Sequence, residues 1–334
     1  MIAYKDIRDV HLEISTLCNA TCPLCPRNFC GYSYNDGYPE VNLSLDNAQH
    51  IFTPSFLKQL TTLRINGNYG DIVMNPEATD IVEYFRQHNS DLTIRITTNG
   101  SARNSVFWQR LAHARASVIF DLDGLEDTHH LYRQNTSWSA VIKNAGIFIS
   151  AGGYATWKMI KFEHNKHQID ECKALSKELG FSRFEIVDHG RNSGPVFNKR
   201  GELTHVLGNY TGEKDFNVLF FKKRTDDVLL EDILPYRKLK TCITCKTKIL
   251  KSIYISATGD VSPCCWTGFF PKTYGHGEYH QVVNKQLSPM ISNNNALEYP
   301  LEQCIEWFSL IENRWKETNY ESGRLVVCDD NCGC

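Results

Sequence analysis

No stretch of the chain approaches the run of about 18 apolar residues that a membrane-spanning helix needs, so no transmembrane segment is expected. Neither sign of charge is in excess. The 334 residues carry 36 Lys and Arg against 38 Asp and Glu, a net −2. That disfavours a strongly basic nucleic-acid binder, though not a local basic patch. The start of the chain, Met1 to Val10, lacks the apolar core of a signal peptide and carries Lys5, Asp6, Arg8 and Asp9. A cytoplasmic protein is therefore expected. Internal repeats, low-complexity tracts and a fused peptide-recognition domain are also missing. No Ser-His-Asp or paired-carboxylate motif stands out, and the twelve histidines are scattered. The pair His129-His130 reads as a surface feature at the start of a helix.

What remains is an ordinary soluble mixture, 42% hydrophobic and 22% charged, which excludes a largely disordered chain. The length suits two domains or one enlarged α/β barrel. Thirteen cysteines are the unusual feature. Cys18, Cys22 and Cys25 lie close together. Eight more fall between Cys242 and Cys334, and only Cys30 and Cys172 stand apart. In a reducing compartment clustered cysteines read as metal ligands or catalytic groups, not as structural disulfides. Two metal sites, one towards each end, are the simplest account. Cys304, on an apolar helical face beside Trp307 and Phe308, reads as core, as do Cys172 and Cys30.

Apolar alternation predicts strands at residues 11–17, 63–66, 92–98, 117–122, 156–162 and 183–187. Helical periodicity lies between them at 45–60, 77–88, 106–114, 138–150 and 167–179. Strands alternating with helices imply βαβ units and a parallel sheet. The expected fold is a partial (β/α)6 TIM-like barrel over 1–190, with active residues at the strand C-terminal ends. Residues 191–240 lose the rhythm and read as a linker or irregular excursion. Residues 241–334 read as a small α+β module, with a hairpin around Thr258-Gly259 and a helix over 301–317.

The strongest motif is Cys18-x3-Cys22-x2-Cys25, directly after the first strand. One short loop can wrap three thiolates around the face of an iron–sulfur cube and leave the fourth iron open. A zinc knuckle is the alternative, although zinc normally takes a fourth protein ligand. The motif resembles the signature of the radical S-adenosylmethionine enzymes. Gly67-Asn68-Tyr69-Gly70-Asp71 follows the second strand, where that family keeps a glycine-rich, acid-terminated turn against the methionine amino group. Thr98-Asn99 follows the third. Asp121-Leu122-Asp123-Gly124, then Tyr132-Arg133, resembles a stretch of the subgroup with C-terminal auxiliary clusters. Leu24 stands where an aromatic residue is common before the third cysteine, and Asp121 where a serine is common. The resemblance covers residues 11 to 188 and resumes at 242 to 334.

The resemblance implies a [4Fe–4S] cluster on Cys18, Cys22 and Cys25 that chelates S-adenosylmethionine. Reductive cleavage would yield a 5′-deoxyadenosyl radical that abstracts hydrogen from substrate. The cosubstrate contacts it implies are Leu24, Gly67, Asn68, Tyr69, Gly70, Asp71, Thr98, Asn99, Asp121 and Arg133. Cys245-x13-Gly259-x4-Cys264, with Cys328-x3-Cys332-x-Cys334, resembles a twitch-type relative of the SPASM module. That implies a second [4Fe–4S] cluster on Cys245, Cys264, Cys328 and Cys332, with Cys242 or Cys334 as possible substitutes and a four-cysteine zinc site as the alternative. Implied partners are a flavodoxin- or ferredoxin-type electron donor and a peptide or protein substrate, with a separate peptide-recognition protein if one is needed. A small polar metabolite is the second substrate class. A non-catalytic iron–sulfur or zinc protein is a third reading.

Overall fold

A computed structural model of the chain describes residues 2–25, 27–28, 30–31, 39–188, 194–208, 242–269 and 278–334. The six expected strands form in order and pair in parallel. They are β1 (Asp9–Leu12), β2 (Thr62–Ile65), β3 (Thr93–Thr98), β4 (Ser117–Asp121), β5 (Tyr154–Ile160) and β6 (Arg183–Val187). Helices cover them: α1 (Leu45–Ile51), α2 (Pro54–Gln59), α3 (Ala78–His88), α4 (Ser105–His113), α5 (Glu126–Tyr132), α6 (Trp138–Ser150) and α7 (Ile169–Glu178). This is the partial barrel expected. The stretch 45–60 is two helices, not one. Pro54 has no N–H to continue α1, and Thr53 caps α2 by accepting from the Phe56 N–H.

The described part of the excursion, residues 194–208, is more ordered than the sequence suggests. Strands β7 (Gly194–Phe197) and β8 (Leu203–Leu207) form an antiparallel hairpin. Val196 and Leu207 are fully buried and pack with Leu24 and Phe162 in a small apolar cluster. Gly194-Pro195 reads as a breaker, but at the start of an isolated two-stranded pair a missing N–H costs little. The rest of that stretch, 191–193 and 209–240, lies outside the described residues.

The C-terminal hairpin forms around Thr258-Gly259. Its first strand, β9 (Ser252–Ile255), pairs in parallel with the free edge of β1, and β10 (Val261–Ser262) returns antiparallel to β9. The sheet thus has eight strands, in the order β10-β9-β1-β2-β3-β4-β5-β6. Around the hairpin lie α8 (Lys246–Ile249), α9 (Cys265–Phe269), α10 (Glu278–Leu287), α11 (Leu301–Cys304), α12 (Phe308–Arg314) and α13 (Val326–Cys332). The single helix expected over 301–317 is therefore broken between α11 and α12. Ile253, Ile255, Val283, Phe308 and Val326 are buried in the same apolar core as Val10, Leu63, Ile96 and Phe120. Among the described residues no helix is long and apolar enough to cross a membrane.

Candidate metal and cosubstrate site

The C-terminal ends of β1 to β4 carry the residues singled out by the sequence. The cysteine loop leaves β1 and folds back on itself: Cys25 N–H donates to Cys22 O at 3.0 Å and Asn28 N–H to Cys25 O at 2.8 Å. Neighbouring loops fasten it. Asn99 Nδ2 donates to Asn19 Oδ1 at 3.0 Å, Asn19 Nδ2 to Ser101 Oγ at 2.8 Å, and Asn135 Nδ2 to Asn19 O at 2.6 Å. The three thiols feel one another. Burial, the Asp71 carboxylate and the other two thiols raise Cys18 well above the ordinary thiol value. Burial pushes Cys22 up to about 12, against the pull of the Arg133 guanidinium.

Thiols held protonated by burial and mutual repulsion become thiolates when a cationic metal compensates them. Among the described residues, no three His, Cys, Asp or Glu side chains converge as the ligands of one ion would. The triad thiols are close enough to interact electrostatically. Three soft thiolate donors from one short loop are the ligand chemistry that an iron–sulfur cluster takes.

The turn after β2 presses on the strand that leads into this loop. A side chain at Gly70 would place Cβ 2.1 Å from Ser15 O and 2.6 Å from Leu17 O, so only glycine allows the approach. Asp71 N–H donates to Leu17 O at 2.8 Å. The buried Asp71 carboxylate is fully engaged. Oδ1 accepts from Thr98 Oγ1 at 2.6 Å and Val73 N–H at 3.1 Å, and Oδ2 from Asn99 N–H at 2.7 Å and Asn99 Nδ2 at 2.9 Å. Burial still raises its pKa above the ordinary carboxylate value. Asn99 Nδ2 also lies 3.8 Å from Cys18 Sγ, so Asp71 positions the side chain that approaches the first cysteine.

On the far side of the triad sits a buried ion cluster. Arg133 Nε donates to Asp123 Oδ2 at 2.6 Å, and its Nη2 lies 3.2 Å from Asp121 Oδ2. Lys158 Nζ is 2.7 Å from Asp121 Oδ1. The lysine gives Asp121 a second cation beside Arg133. Burial pulls the Arg133 pKa down, but Asp123 and Asp121 more than compensate and hold it well above the ordinary arginine value. His129 belongs to this cluster and is not the surface residue expected. Its ring is buried, Nδ1 accepts from Asp123 N–H at 3.2 Å, and Nε2 lies 3.1 Å from Thr136 Oγ1. His129 lies four residues after Leu125, which packs on the core, so it shares the inward face of α5; His130 is exposed. Leu24 is covered by the β7–β8 hairpin.

Glu13 has no place in the sequence reading. Its carboxyl is buried beneath the turn. Oε1 accepts from Tyr69 N–H at 2.7 Å and Gly70 N–H at 2.9 Å, and Oε2 accepts from the Tyr254 hydroxyl at 2.8 Å. Burial raises its pKa to about 7 despite these donors. An acidic residue between Leu12 and Ile14, in an otherwise apolar strand end, was the available signal.

The C-terminal cysteines gather as well. Cys245 and Cys332 share a side-chain hydrogen bond, which lowers Cys245 to about 5 and raises Cys332. Burial and the charges of Cys264 and Cys245 raise Cys328. Cys245, Cys264, Cys328 and Cys332 thus interact electrostatically with one another. Cys242 and Cys334 pair with each other as a disulfide, with Cα atoms 5.4 Å apart. The sequence reading expected no disulfide. An antiparallel bridge between Ile243 and Gly333, with Cys334 N–H donating to Cys242 O at 3.0 Å, brings the two together. Cys172 and Cys304 are fully buried, as core residues should be.

No family model and no curated protein matches the sequence. Solved structures do match the fold. Streptococcus suis SuiB bound to S-adenosylmethionine aligns with a TM-score of 0.60 at 15% identity, covering 98% of this chain and 73% of that chain. Native anSMEcpe with bound AdoMet aligns with a TM-score of 0.58 at 16% identity, covering 97% and 89%. The chain shares the fold of these S-adenosylmethionine-bound structures. SuiB has also been solved bound to its precursor peptide SuiA, with a TM-score of 0.59 at 14% identity over 98% of this chain and 72% of that one.

Proposed function

We propose that the protein is a radical S-adenosylmethionine enzyme that abstracts hydrogen from a peptide or protein substrate. The observation that carries the reading is the triad: three mutually coupled thiols from one loop, at the strand ends of a barrel shared with structures that hold S-adenosylmethionine. Bound on Cys18, Cys22 and Cys25, a [4Fe–4S] cluster would supply the electron for homolytic cleavage of the sulfonium.

The chain's own residues do the rest. The Asn68–Gly70 turn and the Asp71-held pair Thr98 and Asn99 would bind and orient the methionine end of the cosubstrate. Arg133, kept cationic by Asp121 and Asp123, would meet a carboxylate. Leu24, under the β7–β8 hairpin, helps to keep water from the cysteine loop. Cys245, Cys264, Cys328 and Cys332 would hold the auxiliary cluster. A flavodoxin or ferredoxin-type protein would deliver electrons. A peptide is favoured over a small metabolite because SuiB binds a precursor peptide on this fold.

The test uses the anaerobically reconstituted full chain. It should hold roughly eight irons, four per cubane, and lose about half on replacing Cys18, Cys22 and Cys25 by Ala. Reduced with S-adenosylmethionine, it should release 5′-deoxyadenosine, and a peptide encoded nearby should change mass on co-expression. Zinc without iron, or no 5′-deoxyadenosine with any substrate, would overturn the reading.

A further inference from the structure

A buried acid grips the back of the turn that the proposed reading gives to the cosubstrate. Glu13 Oε1 takes two successive N–H groups, those of Tyr69 and Gly70. The peptides here are trans, so each carbonyl points opposite to the N–H of its own peptide unit. With the Tyr69 and Gly70 N–H groups turned onto Glu13, the carbonyls of Asn68 and Tyr69 face the other way. Two adjacent carbonyl oxygens on one side of a turn make an acceptor pair suited to a cation with several N–H donors.

The other carboxyl oxygen reaches the C-terminal hairpin. Tyr254, on β9, is fully buried and donates its hydroxyl to Glu13 Oε2 at 2.8 Å. Its ring lies against α9, where a side chain at Gly268 would place Cβ 2.4 Å from Tyr254 Cδ1. A second tie runs alongside: Asn68 Nδ2 donates to Cys265 O at 3.1 Å. Cys265 adjoins Cys264, one of the proposed auxiliary ligands. The turn is therefore tied to the C-terminal part of the chain directly at Asn68 and, through Glu13 and Tyr254, at the Tyr69 and Gly70 N–H groups.

We propose that Glu13 is a positioning residue: it turns the Asn68 and Tyr69 carbonyls toward the ammonium group of bound S-adenosylmethionine and, through Tyr254, ties that turn to the C-terminal hairpin. This rests on the cosubstrate reading of the site. The role needs an acceptor of the right length, not a charge. Because burial places the Glu13 pKa at about 7, the neutral acid already coexists with the carboxylate near neutrality. An amide of the same length should therefore serve.

The experiment compares Glu13→Gln, Glu13→Asp and Tyr254→Phe in the iron-loaded full chain. Binding of S-adenosylmethionine is followed by the change it makes in the electron paramagnetic resonance spectrum of the reduced cluster. Glu13→Gln should bind within about threefold of wild type, since its Oε1 still accepts both N–H groups. Glu13→Asp keeps the charge but is one methylene short, and should bind at least about tenfold more weakly while retaining its iron. Tyr254→Phe should weaken binding by an intermediate factor. Glu13→Asp with wild-type affinity, or Glu13→Gln weaker than Glu13→Asp, would overturn the proposal. If Glu13→Asp fails to load iron, wild-type affinity in Tyr254→Phe overturns the tie to the hairpin, and weak binding by Glu13→Gln overturns the positioning role. A wild type that loads iron and gives no spectral response to S-adenosylmethionine would overturn both this inference and the reading of the site.

Discussion

Arg133 is the sharpest place to test the electrostatics of the site. Replacing it with Met keeps most of the volume and removes the charge. Asp123, whose carboxylate is completely buried, then loses its 2.6 Å partner, while Asp121 keeps Lys158. Breaking a buried ion pair by deleting one partner costs about 3–5 kcal/mol, because the remaining charge is stranded. The loss should depend on pH. Burial already raises the Asp123 pKa, and Arg133 is the chief force opposing the rise. Without the arginine the folded-state pKa climbs further above the unfolded value of about 3.9. A group with a raised folded pKa supports the fold below its unfolded pKa and loses that contribution as pH rises through the folded one. The destabilisation of Arg133→Met should therefore be smaller near pH 5, where the stranded carboxyl is more readily protonated, than near pH 8. Urea denaturation of the metal-free, reduced protein at both pH values measures it. The double variant Arg133→Met/Asp123→Asn should recover much of the loss, since no buried charge is left unpaired. A loss under about 1 kcal/mol at alkaline pH, or an equal loss at both pH values, would refute the reasoning. Arg133 also pulls the Cys22 thiol down, so alkylation of Cys22 should be slower in the variant.

Other outcomes follow from the same geometry. Gly70→Ala drives Cβ to 2.1 Å from Ser15 O, a backbone atom that cannot step aside, and should cost at least about 3 kcal/mol and abolish S-adenosylmethionine binding; an unchanged melting temperature would contradict it. The Glu13 pKa, up from 4.5 to about 7, makes the fold lose about 3 kcal/mol as pH rises across that interval (2.5 units at 1.36 kcal/mol). Glu13→Gln should flatten that part of the pH–stability curve, which melting temperatures between about pH 4 and pH 8 would reveal. Gly259→Ala, at φ +87° and with Leu297 Cγ 2.8 Å from the new Cβ, should destabilise the C-terminal hairpin by more than about 1 kcal/mol and lower iron content at the auxiliary cysteines first, leaving the triad loaded.

The barrel was legible because its signals are local. β2, β3 and β4 run into Asn66-Gly67, Asn99-Gly100 and Asp123-Gly124, and α6 occupies the residues its periodicity assigns. The cysteine loop is legible for the same reason. What escaped depends on distant partners. Glu13 acquires meaning only from Tyr69, Gly70 and Tyr254, which lie 56, 57 and 241 residues away. The β7–β8 hairpin escaped because its glycine and proline read as breakers, while the apolar surface that receives Val196 and Leu207 comes from Leu24 and Phe162, elsewhere in the chain. His129 was misplaced because a short helix with His at consecutive positions does not disclose which of them faces inward. Thr53-Pro54, by contrast, was a visible stop within the 45–60 stretch.

The two cysteine groups differ in what must fold before they assemble. The triad needs one loop, anchored by β1 on one side and by Asn99 and Asn135 on the others. The C-terminal group draws on three separated segments: Cys245 before α8, Cys264 after β10, and Cys328 with Cys332 on α13. Closing loops of that size costs conformational entropy that the thiols alone do not offset. It is offset by β9 pairing along the β1 edge, by Ile253, Ile255 and Val326 entering the barrel core, and by the buried ion pair of Arg324 with Asp329, at 2.6 Å on α13. The same β1 strand thus leads at one end into the triad and along its edge carries the hairpin that organises the second group. Glu13 sits where these two tasks meet, immediately after β1, with one carboxyl oxygen on the turn beside the triad and the other on β9. A displacement of the hairpin relative to β1 therefore reaches the turn through Glu13, alongside the Asn68–Cys265 hydrogen bond, without passing through the rest of the sheet.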